Sequence, residues 1–140
     1  AGAAESDRVE ILAVGAREHA RAEAYAREHG IERAYGGYDA LLSDPDVEAV
    51  YISLPNGLHV EWAIRALAAG KHVLCEKPLT ASPAEAERAF DVADARGLVR
   101  ETPLAGDVWM KESVAASFGR NAARAWRTSS AAILSFRLAC

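Results

Sequence analysis

Short continuous apolar runs alternate along the chain with longer stretches in which apolar residues recur every three or four positions. The continuous runs predict strands that are covered on both faces, as in a parallel sheet. The recurring pattern predicts amphipathic helices. The predicted strands are residues 9–15, 48–54, 71–76 and 98–100, and the predicted helices are residues 17–29, 58–70 and 83–97.

Residues with known preferences for helix ends mark the helix boundaries. Gly30 and Gly70 are placed to end the first two helices. Ser82 is placed to cap the third helix, with Pro83 at its first position. Between the first helix and the second strand, the pattern predicts a short apolar-aromatic piece around Tyr35, a Gly-Gly break, a short helix and an Asp-Pro-Asp turn.

The order of these elements predicts a doubly wound α/β fold, in which right-handed crossovers join parallel strands. Ligands of such sheets bind beyond the carboxyl ends of the strands. Three predicted strand ends carry polar or turn-forming residues: 15–17, 55–57 with His59 just beyond, and 76–78. We expect all three to open on one rim of the sheet.

The charge, the apolar runs and the cysteine positions limit the partners, the location and the kinds of site that we expect for this chain. The 140 residues include 16 basic and 20 acidic side chains without a basic block, which argues against nucleic acid and anionic lipid. No apolar run approaches the roughly 18 residues of a membrane span, and no signal peptide is evident, so we expect a cytoplasmic globular protein. Cys75 and Cys140 are far apart, which predicts two reduced thiols and no metal site.

Two stretches carry a resemblance to a known family. Residues 46–97, DVEAVYISLPNGLHVEWAIRALAAGKHVLCEKPLTASPAEAERAFDVADARG, and residues 13–50, AVGAREHARAEAYAREHGIERAYGGYDALLSDPDVEAV, resemble the nucleotide-binding domain of the glucose–fructose oxidoreductase and inositol dehydrogenase (Gfo/Idh/MocA) family. The specific features are Glu-Lys-Pro after a strand and the preceding Leu-Pro-Asn…His turn. The nearest resemblance is to bacterial sugar dehydrogenases and dihydrodiol dehydrogenases.

This resemblance implies hydride transfer between a nicotinamide cofactor and a sugar-like or diol-like alcohol, which is a small-molecule substrate. Lys77 matches the family lysine that hydrogen-bonds the reacting hydroxyl or carbonyl, where a cation stabilises charge that develops on oxygen. Glu76 matches the carboxylate that accepts hydrogen bonds from the nicotinamide-side ribose. Pro78 matches the residue that fixes the turn carrying both side chains.

The resemblance also implies further cofactor contacts. Four residues match the turn that lies along the ribose and nicotinamide: Leu54, Pro55, Asn56 and His59. Arg17 matches an arginine beside the adenosine ribose, where a guanidinium suits a 2'-phosphate and favours NADP over NAD. The family often has a serine before this arginine. Ala16 stands there instead, which removes one phosphate donor.

Several of these residues also have ordinary structural interpretations. Lys77 by itself is a solvated side chain, and Arg17 is a common residue in the first turn of a helix. Asn56 followed by Gly57 is a frequent turn pair. Cys75 is predicted to be a small core residue rather than a nucleophile.

The chain departs from the family pattern at both ends. It contains no G-x-G-x-x-G sequence, so it resembles an incomplete Rossmann-type sheet that lacks the first strand and the Gly-rich loop. That strand would be central, so we expect the sheet to lose its middle unless the apolar residues 131–136 fill the position. We therefore predict a partial dinucleotide-binding domain at residues 1–102, an unassigned divergent or frame-shifted tail at residues 103–140, and no substrate domain.

Three functional hypotheses remain open from the sequence. The chain is a fragment of an NAD(P)-dependent oxidoreductase, a non-catalytic fold remnant or interaction module, or a non-functional truncated product. The missing phosphate loop weighs against activity of the chain alone, whereas the Glu-Lys-Pro sequence favours oxidoreductase ancestry.

Overall fold

A computed structural model describes residues 9–98, 100–101 and 132–138. The helices are α1 (His19–His29), α2 (Tyr38–Leu42), α3 (His59–Ala68) and α4 (Pro83–Ala95). The strands are β1 (Val9–Ala16), β2 (Arg33–Gly36), β3 (Ala49–Ser53), β4 (His72–Cys75), β5 (Arg100–Glu101) and β6 (Ala132–Leu138). These elements confirm the predicted alternation. Residues 103–131 of the predicted tail and the thiol of Cys140 lie outside the described residues.

Six described strands form one sheet in the order β2-β1-β6-β3-β4-β5. β1 pairs in parallel with β2, β3 pairs in parallel with β4, and β4 pairs in parallel with β5. β6 lies between β1 and β3 and runs antiparallel to both. The expectation that the sheet loses its middle is therefore wrong, and the alternative that residues 131–136 fill the position is confirmed.

The sequence of β6 suits a central position. Ile133 and Leu134 are buried on opposite faces of the sheet, so both faces of the strand are covered. Ser135 is also buried, and its hydroxyl donates a hydrogen bond to the carbonyl oxygen of Ala13 at 3.3 Å. The backbone groups that β1 and β3 would otherwise leave unpaired find partners in β6, which removes the cost of burying them unsatisfied.

Helices cover both faces of the sheet, as expected for a doubly wound fold. On one face, α2, α3 and α4 contribute Leu41, Leu67 and Ala93 to a core that includes Ile52. On the other face, α1 packs through small residues such as Ala22. Within the described part of the chain, no helix has both the length and the apolar character that crossing a membrane requires.

The predicted helix ends are confirmed with small shifts. Gly30 adopts a left-handed conformation with φ 66° and ends α1. This helix begins at His19 rather than at residue 17, because Glu18 has an extended backbone. Ser82 caps α4, where its hydroxyl accepts a hydrogen bond from the backbone N–H of Glu85 at 3.5 Å.

We expect Ser82→Ala to lower the free energy of unfolding by about 1 kcal/mol, because it leaves an N–H at the start of α4 without its side-chain partner. Urea unfolding followed by circular dichroism measures the change. Ser43→Ala is the matched control, since the carbonyl of Asp39 that accepts from the Ser43 hydroxyl also accepts from the Ser43 backbone N–H. Equal losses in the two variants would contradict a capping role for Ser82.

Candidate functional site

The strand ends that carry the predicted site residues lie on one edge of the sheet. β1, β3 and β4 run in the same direction. The register of the four neighbouring strands β1, β6, β3 and β4 places one residue of each in a single row across the sheet, in that order: Gly15, Ile133, Ile52 and Cys75. Arg17, Leu54 and Lys77 each follow that row by two positions along their own segments. The prediction that the three strand ends open on one rim is confirmed.

Arg17 and Lys77 occupy opposite ends of this rim. Both side chains are exposed. Three strand spacings separate β1 from β4, because β6 and β3 both lie between them, and this corresponds to roughly 14 Å. The two cations are therefore placed so that they are able to contact the two ends of one elongated ligand.

Positive charge accumulates at the β1 end of the rim. Burial raises the pKa of the Tyr38 hydroxyl, while the charges of Arg17 and Arg21 act in the opposite direction. Both guanidinium groups therefore lie near enough to influence this phenol. The backbone N–H of Gly37 donates to the carbonyl of Ala16 at 2.7 Å, which connects the residue before α2 to the end of β1. This end of the rim suits an anionic group of a ligand.

Glu76 is held in place at the other end of the rim. The Tyr51 hydroxyl donates to Oε1 of Glu76, and the backbone N–H of Lys77 donates to Oε2 at 3.3 Å. Tyr51 is 4% exposed, so its phenol is anchored in the core. The carboxylate thus has a defined orientation and keeps lone pairs for a ligand hydroxyl. Sequence reasoning missed Tyr51, whose only signal was its place in β3 on the same face as Glu76.

The turn after β3 and the loop after β4 meet at His59. Pro55 and Asn56 are exposed, whereas Leu54 is buried. The ring of His59 is 1% exposed, with Nε2 2.6 Å from the carbonyl oxygen of Leu54 and Nδ1 2.7 Å from that of Pro78. Its membership of the cofactor-binding set stays a prediction, and the structure gives its ring two backbone partners.

Lys77 and Pro78 lie at the surface of the loop after β4 and are joined by a cis peptide bond. Beside this loop is a cleft of about 850 Å³ that is bounded by α3, α4 and the turn at Asn56. The cleft is large enough to hold a small molecule next to Pro78, the residue that follows Lys77.

Cys75, at the end of β4 next to the rim, is not a reactive thiol. Cys75 is 1% exposed, and its burial raises the thiol pKa to about 12, so it remains protonated as a core residue. This confirms the core interpretation of Cys75. The residues described here contain no cluster of His, Cys, Asp or Glu that is able to hold a metal ion.

Comparison with known proteins identifies relatives of this chain. The family model GFO_IDH_MocA, described as an oxidoreductase family with an NAD-binding Rossmann fold, matches residues 1–102. A D-xylose 1-dehydrogenase (NADP(+)) from Haloferax volcanii is 53% identical over 89 residues, which are 64% of this chain and 27% of that protein. A trans-1,2-dihydrobenzene-1,2-diol dehydrogenase from Oryctolagus cuniculus is 48% identical over the same shares of the two chains. This chain thus spans about 27% of the length of these relatives.

The architecture also matches solved structures. A 3-ketoreductase from Actinomadura kijaniata, in complex with TDP-benzene and NADP, is 49% identical with a TM-score of 0.64. The match covers 66% of this chain and 29% of the ketoreductase. Together, the comparisons confirm the resemblance to sugar dehydrogenases and dihydrodiol dehydrogenases, and the Rossmann-type fold.

Proposed function

The chain belongs to the GFO_IDH_MocA oxidoreductase family, and from that premise we propose that it forms the cofactor-facing part of an NADP-dependent oxidoreductase. The substrate is a sugar-like or diol-like alcohol, or the corresponding carbonyl compound. The observation that carries the proposal is the placement of Arg17, Glu76 and Lys77 on one rim at the carboxyl ends of parallel strands. The activities of the relatives named above support the substrate class.

The described residues fit the two ends of NADP. At one end, Arg17 offers a guanidinium to a 2'-phosphate, with the charge of Arg21 nearby. At the other end, the oriented carboxylate of Glu76 accepts hydrogen bonds from ribose hydroxyls. The exposed turn at Pro55 and Asn56 lies between these two ends. We assign no pyrophosphate contact to the described residues.

Lys77 is the proposed catalytic residue. NADP, when bound, accepts a hydride from the alcohol carbon, and its reduced form donates one to the carbonyl carbon. The ammonium group of Lys77 hydrogen-bonds the reacting oxygen and stabilises the negative charge that grows there as the C–H bond breaks or forms. The hydroxyl proton passes to or from a proton-transfer partner outside these residues.

The cofactor preference gives a direct test of the proposal. We expect Arg17→Ala to weaken the binding of NADP by about 10- to 150-fold, because it removes a charged hydrogen bond to the 2'-phosphate. The binding of NAD, which lacks this phosphate, changes little. Isothermal titration of the purified chain with each nucleotide measures both affinities.

Arg27→Ala is the matched control for this experiment. Arg27 is an exposed arginine in the last turn of α1, at the far end of the helix from the rim. The Arg27→Ala substitution removes the same charge without touching the proposed site. A variant at Arg17 that loses no more NADP affinity than the variant at Arg27 would refute the phosphate contact.

A non-catalytic interaction module is the second candidate function. The observation that favours it is the antiparallel β6 at the centre of the sheet, because this gives the described residues a continuous sheet without a phosphate loop. A folded chain that binds neither NADP nor NAD would support this candidate. A chain that does not fold in circular dichroism would instead support the third hypothesis, a non-functional product.

A further inference from the structure

A buried tyrosine holds the carboxylate of Glu76 at the rim. Tyr51 lies in β3 between Leu134 of β6 and Leu74 of β4, in the core that α1 covers. Successive side chains of a strand point to opposite faces, so Glu76 lies on the same face as Leu74, two positions before it. The Tyr51 hydroxyl reaches across from β3 and donates to Oε1 of this carboxylate. The contact therefore joins two neighbouring strands at the rim.

Both residues of this contact are tied to the sheet. Tyr51 is 4% exposed, so its ring has no room to move away. The backbone N–H of Glu76 donates to the carbonyl of Ile52 at 3.0 Å, which continues the pairing of β3 with β4 one residue beyond the end of β4. The terminal torsion of a glutamate has no narrow preference of its own, so its carboxylate turns easily unless a partner holds it. The hydroxyl of Tyr51 is such a partner.

The hydrogen bonds to Glu76 determine what its carboxylate is able to bind. Among the described residues, Oε1 accepts from Tyr51, and Oε2 accepts from the backbone N–H of Lys77 at 3.3 Å. An ionised carboxylate has about four acceptor positions, two on each oxygen. One position on each oxygen thus remains for a ligand. Two neighbouring hydroxyl groups, a vicinal diol, supply the two donors that fit this pattern.

We propose that Tyr51 is a positioning residue that turns the Glu76 carboxylate so that both of its oxygens meet a vicinal diol of the ligand. At 3.3 Å, the N–H of Lys77 is a long and weak donor, so the Tyr51 hydroxyl is the main hold on the carboxylate. Tyr51 acts through Glu76 and does not touch the ligand.

The choice of ligand rests on the proposed function. In NADP, the diol is that of the nicotinamide-side ribose, because the 2'-phosphate occupies one hydroxyl of the other ribose. Adenosine 2',5'-bisphosphate carries the phosphorylated ribose and lacks the nicotinamide-side ribose. A comparison of these two nucleotides therefore isolates the diol.

The Tyr51→Phe substitution removes the hydroxyl and keeps the ring that fills the core. We expect it to weaken NADP binding by about 3- to 10-fold, because the carboxylate then meets the ribose in several orientations. The affinity for adenosine 2',5'-bisphosphate is expected to stay at the wild-type value. Isothermal titration of the purified chain with each nucleotide, without substrate, measures both affinities. A Tyr51→Phe chain that keeps the wild-type ratio of the two affinities would overturn the proposal.

Tyr35→Phe is the matched control. It also removes a tyrosine hydroxyl that donates to a carboxylate, in this case that of Asp44 at 2.8 Å, in the segment before β3. We expect it to keep the wild-type ratio of affinities. Added to Glu76→Ala, Tyr51→Phe is expected to weaken NADP binding no further, because the carboxylate that it positions is gone. A further loss in the combined variant would contradict action through Glu76.

The contact itself is tested without any ligand. Both Tyr51→Phe and Glu76→Ala remove the same hydrogen bond, so we expect the combined variant to lose less free energy of unfolding than the sum of the two single losses. Additive losses in urea unfolding would refute the contact. If Tyr51→Phe does not fold, nuclear magnetic resonance of the wild type decides. Slow exchange of the Tyr51 hydroxyl proton with water supports the contact, and fast exchange refutes it.

These measurements separate this proposal from the proposed function. A wild-type chain that binds neither nucleotide would refute the proposed function and the ligand role of Tyr51 with it, while the unfolding measurements still decide the contact. A wild-type chain that binds NADP, together with a Tyr51→Phe chain that binds it equally well, would refute the role of Tyr51 alone.

Discussion

Alanine in place of Lys77 is expected to lower kcat of the NADP-dependent reaction by about 100- to 1,000-fold, with little change in NADP affinity. The reason is that the ammonium group acts on charge that is present mainly in the transition state, so its removal costs rate rather than cofactor binding. Lys77 is exposed and directly precedes Pro78, which lines the 850 Å³ cleft, so the substitution leaves the core intact. Absorbance of the reduced cofactor, measured on the purified protein with a sugar-like or diol-like alcohol as substrate, gives the rate.

Two control variants identify what the lysine contributes. Lys77→Arg keeps the charge with a different geometry, and we expect it to retain more activity than the alanine variant. Arg88→Ala removes a positive charge from the wall of the same cleft without touching the rim, and we expect it to be almost neutral. Equal rates in Lys77→Ala and Arg88→Ala would rule out a catalytic role for Lys77.

Most of the fold was predictable because its elements are local. The runs that become β1, β3 and β4 are apolar on both faces, and the helices carry their own end signals at Gly30 and Ser82. The position of β6 was harder to predict, because pairing between residues at least 79 positions apart leaves no local pattern. Its apolar run predicted a strand, but neither its neighbours nor its antiparallel direction followed from that run.

The site was predictable to the extent that a motif marked it. Glu76 and Lys77 were singled out by Glu-Lys-Pro, and the direction of the parallel strands brought them to the rim with Arg17. The partners that hold these residues were not predictable. Tyr51 reaches Glu76 only through the register of β3 and β4, and the enclosure of the His59 ring depends on two loops meeting in space.

A second group of residues, which sequence reasoning did not single out, stabilises the end of the sheet opposite the rim. Asp44, 7% exposed, accepts hydrogen bonds from the Arg33 guanidinium and the Tyr35 hydroxyl, each at 2.8 Å. The carboxylate also accepts from the backbone N–H of Asp46 at 2.9 Å. The buried ammonium of Lys71 donates to the carbonyls of Asp44 and Val47. These contacts fix the segment that leads into β3.

Asp44→Ala is expected to lower the free energy of unfolding by about 2–4 kcal/mol, because it removes three hydrogen bonds to a buried carboxylate and leaves donors without their acceptor. Asp46→Ala is the matched control. Its carboxylate also pairs with Arg33, at 2.8 Å, but its side chain is 46% exposed, so we expect a loss of less than about 1 kcal/mol. Urea unfolding of both variants measures the difference, and equal losses would contradict the special role of Asp44.

The pH dependence of stability gives an independent check on Asp44. Burial alone would raise the pKa of this carboxyl, but hydrogen bonds from Arg33, the Asp46 amide and Tyr35 outweigh burial and hold the pKa below its usual value. Since the pKa is lower in the folded than in the unfolded chain, the contribution is complete above about pH 4 and disappears as the pH falls through the folded-state value. We therefore expect wild type to lose more stability than Asp44→Ala on acidification below about pH 4, so that the two unfolding curves converge. Parallel curves would mean that the charge of Asp44 contributes nothing to folding.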